Sequence, residues 1–239
     1  MDKLITFKNV IKNFGSRKII NGINFTISRG EVVALIGENG SGKSTTIALL
    51  LGILEADSGE IIRWSKNYKE KTGAQLQSTP FFEGFSCAEN LEYFSALYGI
   101  QMSKEDIYKK LDEWNLGECK DTQAVKLSLG QQKRLAIAVT TLHQPELIVL
   151  DEPSAGLDPK VRYDIHKIIK QFSNTNTAIM FSSHDMEEVE KLATRIVFIY
   201  KGTIIEDGNP NALLEKYGEK NLEKVYLNIM NRDMEGEYV

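Results

Sequence analysis

The sequence contains no hydrophobic run long enough to cross a membrane. Its apolar stretches all fall well short of the roughly 18 residues that a transmembrane helix requires. Residues 1–7 also lack the apolar core of a secretory signal peptide. From these absences we expect a cytoplasmic protein that has no membrane anchor of its own.

Cysteine and histidine are also scarce, and the sequence has no excess of positive charge. The two cysteines, Cys87 and Cys119, lie far apart in the sequence, which favours unpaired thiols in a reducing compartment. Together with the three scattered histidines, they argue against a metal site built from these residue types. The 29 lysines and arginines are outnumbered by 33 aspartates and glutamates, and the net charge of −4 argues against nucleic acid as a partner.

What the sequence does contain is a phosphate-binding motif. Residues 37–44 are G-E-N-G-S-G-K-S and fit the pattern G-x-x-x-x-G-K-[ST]. An apolar run of strand length, residues 31–36, precedes the motif, and residues 45–51 continue as a helix. A glycine-rich turn can match the pattern by chance, but the strand and helix on either side favour a true phosphate loop.

The residue types of this loop suit a nucleotide. Glycines allow positive φ angles that bring backbone N–H groups against phosphate oxygens, and the helix that starts at Lys43 directs its positive end at the same anion. Lys43 is expected to reach the β- and γ-phosphates, and Ser44 to bind Mg²⁺. The nucleotide-binding residues predicted in the loop are Gly37, Asn39, Gly40, Ser41, Gly42, Lys43, Ser44 and Thr45.

The order of strands and helices predicts an α/β fold. Two β-rich stretches in the first 30 residues predict an antiparallel part, and a block of helices interrupts the later strands. The predicted architecture is a P-loop NTPase core with an antiparallel β subdomain and an inserted α-helical subdomain, in one domain of residues 1–239. We place the core with its β subdomain at about 1–86 and 144–208, the helical subdomain at about 87–143 and a helical tail at about 209–239.

Polar side chains follow two predicted buried strands. The apolar run 147–150, expected to be covered on both faces, is followed by Asp151 and Glu152, and the run 178–181 leads to His184. Because parallel strands bring their carboxyl ends to one edge of a sheet, these side chains are expected to face one crevice. Glu152 could polarise an attacking water and His184 could contact the γ-phosphate, although paired acids can also cap a turn and a lone histidine is often a packing residue.

A third predicted strand, residues 72–77, ends at Gln77. The amide oxygen of Gln77 could then reach the same metal ion as Ser44 and the carboxylate of Asp151. Oxygen ligands of these kinds are those that Mg²⁺ takes in phosphoryl-transfer sites. The sequence therefore predicts a magnesium site formed by Ser44, Gln77 and Asp151.

Other conspicuous residues have no placement that decides their role. His143 and His166 do not follow a strand, and we treat them as structural. Phe14 lies beside a glycine between the first two strands and is either a packing aromatic or a stacking surface for a nucleotide base. Residues 78–85 contain three aromatics, which either pack under the next helix or form a surface for a partner.

A second possible phosphate site begins a later helix. Ser128, Gly130 and Gln131 open a helix expected to run from Gln131 to about His143, and a helix start of this kind can bind an anion. One nucleotide rarely needs two such sites in one chain. We therefore expect the second site to serve a nucleotide held by another chain, in a head-to-tail dimer with two-fold symmetry.

Taken together, these motifs resemble those of the ATP-binding-cassette family, the nucleotide-binding subunits of membrane transporters. The resemblance spans residues 4–208, and the segment L-S-L-G-Q-Q at 127–132, here called the signature segment, makes it specific. It implies base stacking for Phe14, catalysis by Glu152 and contact of His184 with the γ-phosphate. It also implies that Ser128 and Gly130 contact the γ-phosphate of the partner subunit's nucleotide, and that residues 154–158 link the two sites.

The resemblance implies an ATPase subunit, with ATP and Mg²⁺, bound to the inner face of the cell membrane through a separate transmembrane permease. The groove near residues 77–85 would receive a short helix of that permease. A second cassette subunit, a copy of this chain in preference to a sibling, completes the ATP sites. The tail at 221–227 is similar to the ends of cassettes that serve exporters, so export is favoured.

One residue departs from the family pattern, since Leu129 stands where the signature usually has glycine. Its side chain can limit how closely the helix start approaches a nucleotide. Three alternatives are weaker. A soluble cassette ATPase acting on DNA or ribosomes would carry basic patches or an insertion, a phosphotransferase would not need the signature segment, and a GTPase would carry an N-K-x-D motif.

Overall fold

The computed structural model of the chain describes residues 2–77, 81–82 and 84–234, with side chains as far as Asn231. The strands are β1 (Lys3–Phe14), β2 (Arg17–Ser28), β3 (Val32–Ile36), β4 (Ser58–Arg63), β5 (Thr72–Gln75), β6 (Leu147–Asp151), β7 (Ala178–Ser183), β8 (Arg195–Tyr200) and β9 (Thr203–Gly208). The helices are α1 (Lys43–Leu51), α2 (Cys87–Leu97), α3 (Lys104–Glu113), α4 (Leu129–Thr141), α5 (Pro159–Ser173), α6 (Met186–Leu192), α7 (Pro210–Tyr217) and α8 (Leu222–Met234). The chain is therefore an α/β protein, as the sequence predicts.

A six-stranded sheet forms the centre of the fold, in the order β5-β6-β7-β3-β8-β9. Its strands run parallel from β5 to β8, and β9 is the one strand of this sheet, within the described ranges, that pairs antiparallel. Ile36 pairs with Ser183, and Asp151 pairs with Ser182. The carboxyl ends of β3, β6 and β7 therefore meet at one edge of the sheet, where α/β proteins bind ligands.

The parallel strands are covered on both faces. In β3, Val32, Ala34 and Ile36 belong to one hydrophobic cluster, whereas Val33 and Leu35 belong to another. The first cluster contains side chains of α4, α5 and α6, and the second contains those of α1 and of the antiparallel sheet. The burial of β6 on both faces, expected from its continuous apolar run, is confirmed.

The antiparallel part contains more of the chain than the first 30 residues. β1 pairs with β2 on one side and with β4 on the other, giving the order β2-β1-β4. Phe7 stacks on Phe25 with ring centroids 4.5 Å apart, and both rings belong to the second hydrophobic cluster. That cluster also contains side chains of α1, so the antiparallel sheet packs against the central sheet through this helix.

Serine capping boxes start three of the helices. The hydroxyls of Ser86, Ser103 and Ser128 each accept a hydrogen bond from the backbone N–H three residues later, and the side chain there bonds back. The last of these fixes the start of α4 at Leu129. The predicted bounds of that helix, Gln131 to His143, are therefore wrong by two residues at each end.

The inserted region is not entirely α-helical, because 3₁₀ turns occur at Gly117–Cys119 and Ala124–Lys126. Cys87 and Cys119 are buried free thiols, as expected, and burial raises the pKa of Cys87 to about 12. Across the described residues, no helix combines the length and the hydrophobicity that a membrane span needs. The amphipathic tail is confirmed as α8, whose Leu222, Val225 and Ile229 are buried.

The aromatic loop after β5 is partly described, since Ser78, Thr79, Pro80 and Glu83 lie outside the described residues. Phe82 packs against Tyr93 and Phe94 of α2, at 4.4 Å and 5.5 Å between ring centroids. Phe82 and Phe85 nevertheless remain partly exposed. The aromatics of this loop therefore pack on the helix and also leave an apolar surface. A partner at that surface stays a prediction.

Candidate functional site

The loop between β3 and α1 requires glycine at three positions. A Cβ on Gly37 would lie 2.2 Å from the carbonyl oxygen of Ile199, so no side chain fits there. Gly40 and Gly42 have φ angles of 81° and 113°, which L-residues rarely adopt. A Cβ on Gly40 would have no atom of the described residues within 4 Å, so the space beside it is open in that part of the chain. The loop is thus a close backbone turn whose tip is accessible.

The amino end of α1 is arranged for an anion. Gly42 is the N-cap, and no side chain among the described residues caps the helix. Its backbone N–H groups therefore depend on other acceptors, and the helix dipole favours a negative one. The buried hydroxyl of Ser41 also has no hydrogen-bond partner among the described residues. Both features fit a phosphate group at this loop.

Lys43 is buried beside this loop. Its ammonium donates hydrogen bonds to the carbonyl oxygens of Gly37 and Glu38, at 2.7 Å and 3.0 Å. Burial lowers the pKa of Lys43, and the carboxylates of Glu152, Asp151 and Glu38 oppose that shift. The lysine side chain is therefore held at the carboxyl end of β3, within the field of the acidic residues that follow β6.

Ser182 links the ends of β6 and β7. Its hydroxyl donates a hydrogen bond to the carboxylate of Asp151 and accepts one, 3.0 Å long, from the backbone N–H of Glu152. Glu152 has a φ angle of 50°, so its backbone turns sharply out of the strand. The two adjacent acids differ in exposure, with Asp151 buried and the side chain of Glu152 partly exposed.

His184 lies against Glu152. Its Nδ1 is 3.3 Å from Oε1 of Glu152, and its side chain is 69% exposed. The structure therefore brings His184 to the edge of the sheet where the phosphate loop and the acids meet. The expectation that this strand runs parallel to β6 is confirmed by their pairing.

A cavity of about 500 Å³ lies at this edge of the sheet. Ser44, Gln77 and Asp151 line it, so the three predicted magnesium ligands face one space. The described residues include no group of three or more His, Cys, Asp or Glu side chains placed for a metal ion, and the predicted set needs only one carboxylate. The remaining residues that line the cavity are Phe14, Arg17, Ile19, Asn39, Gly40, Gly42, Lys43, Thr45 and Glu152.

Two predicted residues differ in detail from the expectation. β5 ends at Gln75, not at Gln77, so Gln77 is an exposed loop residue beyond the strand that still lines the cavity. Phe14 is the last residue of β1 and is 50% exposed at the cavity. Its ring is not a core aromatic, which leaves a face available for stacking.

The signature segment lies apart from this cavity. Among the described residues, Ser128, Gly130 and Gln131 do not line it. Ser128 and Gln131 form the capping box of α4, with 2.9 Å between the backbone nitrogen of Ser128 and Oε1 of Gln131. A Cβ on Gly130 would be 2.5 Å from a methyl group of Val161, so glycine is needed for α4 to approach α5. Leu129 is 47% exposed.

Two residues near the acids were not predicted. Ser182 bridges Asp151 and Glu152, and only its position in the run S-S-H hinted at a role. The buried ammonium of Lys133, on α4, donates to the backbone oxygen of Glu152 at 3.3 Å, and burial lowers its pKa. That contact joins residues 19 positions apart in the sequence, so no local motif could reveal it.

Known proteins resemble this chain along most of its length. The ABC transporter family profile matches residues 20–155. The lantibiotic transport ATP-binding protein SrtF of Streptococcus pyogenes is 36% identical over 230 residues, covering 94% of this chain and 96% of its own. The Nod factor export ATP-binding protein I of Burkholderia lata is 34% identical, covering 88% and 72%. The solved ATP-binding subunit of an ABC transporter shares the fold, with a TM-score of 0.84 and 24% identity over 95% and 99% of the two chains.

Proposed function

Because this chain belongs to the ABC transporter family, and is an ATPase subunit that drives a membrane permease, we propose that two copies of it close over shared ATP and that its permease is an exporter. The observation that carries this proposal is the meeting of the phosphate loop, Glu152 and His184 at one edge of the sheet. Each of these parts follows a different strand, and their convergence is what phosphoryl transfer to water requires.

The loop and the amino end of α1 hold the phosphates in this proposal. Backbone N–H groups of residues 39–45 and the hydroxyl of Ser41 would bind phosphate oxygens, and the ammonium of Lys43 would exchange its carbonyl partners for the β- and γ-phosphates. Phe14 would stack on the adenine base. Its exposed ring beside the cavity supports this role.

Magnesium is the metal that this donor set suits. A serine hydroxyl, an amide oxygen and one carboxylate, from Ser44, Gln77 and Asp151, are hard oxygen ligands that line one cavity. When bound, Mg²⁺ neutralises charge on the phosphate oxygens during the reaction. The hydrogen bond from Ser182 fixes the carboxylate of Asp151 in its place at that cavity.

Glu152 is the proposed general base. Its carboxylate would accept a proton from the water that attacks the γ-phosphate, and its partly exposed position at the cavity gives water access. His184, in contact with that carboxylate, would hold the base and contact the γ-phosphate. Gln77 lines the same cavity and would orient the water or the metal ion.

The second chain supplies the signature segment. Ser128, Gly130 and Gln131 are at the amino end of the 13-residue helix α4 but away from the cavity of their own chain, which supports their use by a partner's nucleotide. A two-fold axis would repeat this contact and give two ATP sites. Loss of the γ-phosphate would remove contacts to both chains and favour the open state.

The permease contact is proposed at the aromatic surface formed by Phe82, Phe85 and Tyr93. These rings are partly exposed and lie in mutual contact beside the loop that carries Gln77. An apolar surface of this kind fits a short amphipathic helix of a membrane partner. Docking there would keep the chain at the inner face of the membrane, and the name of the Nod factor relative favours export.

The test replaces the proposed base. Glu152→Gln keeps the size of the side chain and removes the carboxylate, so ATP turnover should fall by about 10²-fold or more. Binding of a fluorescent ATP analogue should remain, because Glu152 is not needed to hold the phosphates. Steady-state phosphate release with the purified full chain, and with its permease once identified, measures this.

The matched control is Glu55→Gln, a change of the same kind at an exposed position that does not line the cavity. It should leave both turnover and ATP binding unchanged. Turnover by Glu152→Gln equal to that of the wild type would refute the assignment of the base.

A further inference from the structure

Glu188 is a buried carboxylate with three hydrogen-bond partners around it. It lies on α6 and is 2% exposed. Its Oε1 accepts from the hydroxyl of Ser154 at 2.6 Å and lies 3.1 Å from Nε2 of His166. Its Oε2 accepts from the hydroxyl of Ser183 at 2.6 Å. A carboxylate is costly to bury, and these contacts compensate that cost.

Two of these partners belong to the segments that carry the proposed base and the proposed γ-phosphate contact. Ser154 follows Glu152 by two residues, in the loop that leads to α5. Ser183 directly precedes His184, and its hydroxyl also accepts from the backbone N–H of Asp185 at 3.0 Å. One carboxylate therefore joins the chain segment after β6 to the chain segment after β7.

Helix α5 holds Glu188 from the other side. Arg162 and His166 are one turn apart on α5, and they contact Asp185 and Glu188, respectively. Asp185 is in turn the N-cap of α6, accepting from the backbone N–H groups of Glu187 and Glu188. The carboxylate thus has a fixed position and can act as a reference point for the two segments.

Among the described residues, the side chains of Glu152 and His184 have few hydrogen bonds of their own. The backbone of Glu152 is held by Ser182 and Lys133, but these contacts do not fix its carboxylate. The side chain of His184 is 69% exposed, and Oε1 of Glu152 is the one hydrogen-bond partner of its ring within the described part of the chain. Glu152 has a positive φ angle, a conformation that surrounding structure must maintain. Their separation of 3.3 Å therefore depends on the segments to which they are attached.

From these contacts we infer that Glu188 is a positioning residue for ATP hydrolysis. It sets the distance between Glu152 and His184 by holding Ser154 and Ser183 on the two oxygens of one carboxylate. This inference rests on the proposed roles of Glu152 and His184. His166, which we treat as structural on sequence grounds, orients the carboxylate of Glu188 in this proposal.

Glu188→Gln isolates this role because it keeps the size and shape of the side chain. An amide has one acceptor oxygen where the carboxylate has two, so the hydroxyls of Ser154 and Ser183 can no longer both donate to it. The hydroxyl that faces the amide nitrogen must turn and accept from it, so one of the two contacts that hold the segments after β6 and β7 on Glu188 changes direction. A misplacement of catalytic groups by about 1 Å can cost up to about 10²-fold in rate.

The experiment measures steady-state ATP hydrolysis by the full chain, together with thermal unfolding and binding of a fluorescent ATP analogue. We expect Glu188→Gln to lower kcat by about tenfold or more, with KM and nucleotide affinity within about twofold of the wild type. Glu187→Gln, the same change on the neighbouring exposed residue of α6, is the matched control and should leave kcat unchanged.

A double-mutant cycle, in which kcat is measured, separates a positioning role from a purely structural one. Ser154→Ala and Ser183→Ala should each lower kcat in the wild-type background and have little further effect in Glu188→Gln, since all three act through one carboxylate. Additive losses would overturn the inference. The two serine variants also test it independently if Glu188→Gln fails to fold.

Two further results would contradict it. A kcat for Glu188→Gln within about twofold of the wild type, while Glu152→Gln is inactive, would refute the positioning role and leave the proposed function standing. A loss of nucleotide affinity and of thermal stability in step with kcat would show that Glu188 only supports the fold. Full turnover by Glu152→Gln would instead refute the proposed site on which the inference depends.

Discussion

Leu129 is the residue at which the chain departs most clearly from the pattern of its family. It is the first residue of α4, and its side chain is about half exposed. One of its methyl groups lies 3.4 Å from the position that a Cβ on Gly156 would take, so it borders the loop between β6 and α5. The side chain brings no polar group to the proposed dimer contact.

We therefore expect Leu129→Gly to leave ATP turnover at or above the wild-type level. Removal of the side chain would open the approach to the helix start, and the only cost is a loss of helix stability of up to about 1 kcal/mol. Steady-state hydrolysis and thermal unfolding measure the two effects. Leu129→Ala is the control that removes most of the side chain without the added backbone freedom of glycine.

A large loss of turnover in both Leu129 variants would contradict this expectation. It would mean that the leucine makes a necessary contact, either with the loop at Gly156 or with the second chain.

Single residues of the site were predictable where a local pattern carries the chemistry. The phosphate loop is recognisable by its glycines, Lys43 and Ser44, and Asp151 and Glu152 follow a continuous apolar run. Glu188, Ser182 and Lys133 were not predictable in the same way. The contacts of Glu188 with Ser154, of Ser182 with Asp151 and of Lys133 with Glu152 span 34, 31 and 19 positions, respectively. These contacts exist only in the folded chain.

At the scale of the elements, helices α4 and α5 pack so closely at Gly130 that no Cβ atom fits between them. A Cβ on Gly130 would be 2.5 Å from Cγ1 of Val161, closer than packed carbon atoms can come. The two helices therefore approach at a glycine, and this closeness fixes the direction of the amino end of α4. The proposed binding of a partner's phosphate depends on that direction.

We expect Gly130→Ala to destabilise the fold by about 1–3 kcal/mol, because overpacking forces the helices apart. In a chain of this size, such a loss lowers the midpoint of thermal unfolding by several degrees. The measurement is thermal or urea unfolding followed by circular dichroism. Val161→Ala provides the matched change, since it removes the methyl group that the new Cβ would strike.

The double variant Gly130→Ala/Val161→Ala should recover the stability lost in Gly130→Ala, relative to Val161→Ala alone. ATP turnover should not recover with it if Gly130 also contacts a nucleotide in the other chain. Equal stability of Gly130→Ala and the wild type would show that the helices do not need this close approach.

A sequence pattern can locate the end of a helix or strand only where a local motif marks that end. The segment Ser-x-x-Gln at 128–131 is a capping box, so the pattern alone could place the start of α4 at Leu129, two residues before the predicted start. The end of β5 has no such local signal. That strand pairs with β6 only as far as Gln75 and Leu150, and the partner is more than 70 residues further along the chain. The bounds of the helical subdomain at about 87–143 stay a prediction.

At the scale of the whole molecule, the central question is how two chains meet. Glu152 and Gln77 line the cavity of one chain and His184 contacts Glu152, whereas the signature segment lies elsewhere on the same chain. In the proposed dimer each chain contributes one side of the nucleotide site, so bound ATP would be the bridge between the chains. Association should therefore depend on ATP.

In the Glu152→Gln background, which retains bound ATP, the mass of 27.0 kDa should double on adding ATP and Mg²⁺. Multi-angle light scattering measures this. Ser128→Asp, added to that background, should prevent the dimer, because aspartate still caps α4 but places a negative charge against the triphosphate. Ser128→Thr is the control, since it keeps both the cap and the neutral charge.

A dimer that forms equally well in Ser128→Asp would contradict the shared-nucleotide arrangement. A dimer that forms without ATP would indicate that another surface holds the chains together.

The two carbonyl groups that hold Lys43 have a consequence for the working cycle. The ammonium donates hydrogen bonds to the carbonyl oxygens of Gly37 and Glu38, and these bonds hold the loop in its folded conformation. Under the proposed function, an arriving triphosphate would replace these hydrogen bonds and would not have to order a flexible loop. We expect the phosphate loop to keep its conformation between turnovers, so that each new ATP binds to a loop that is already folded.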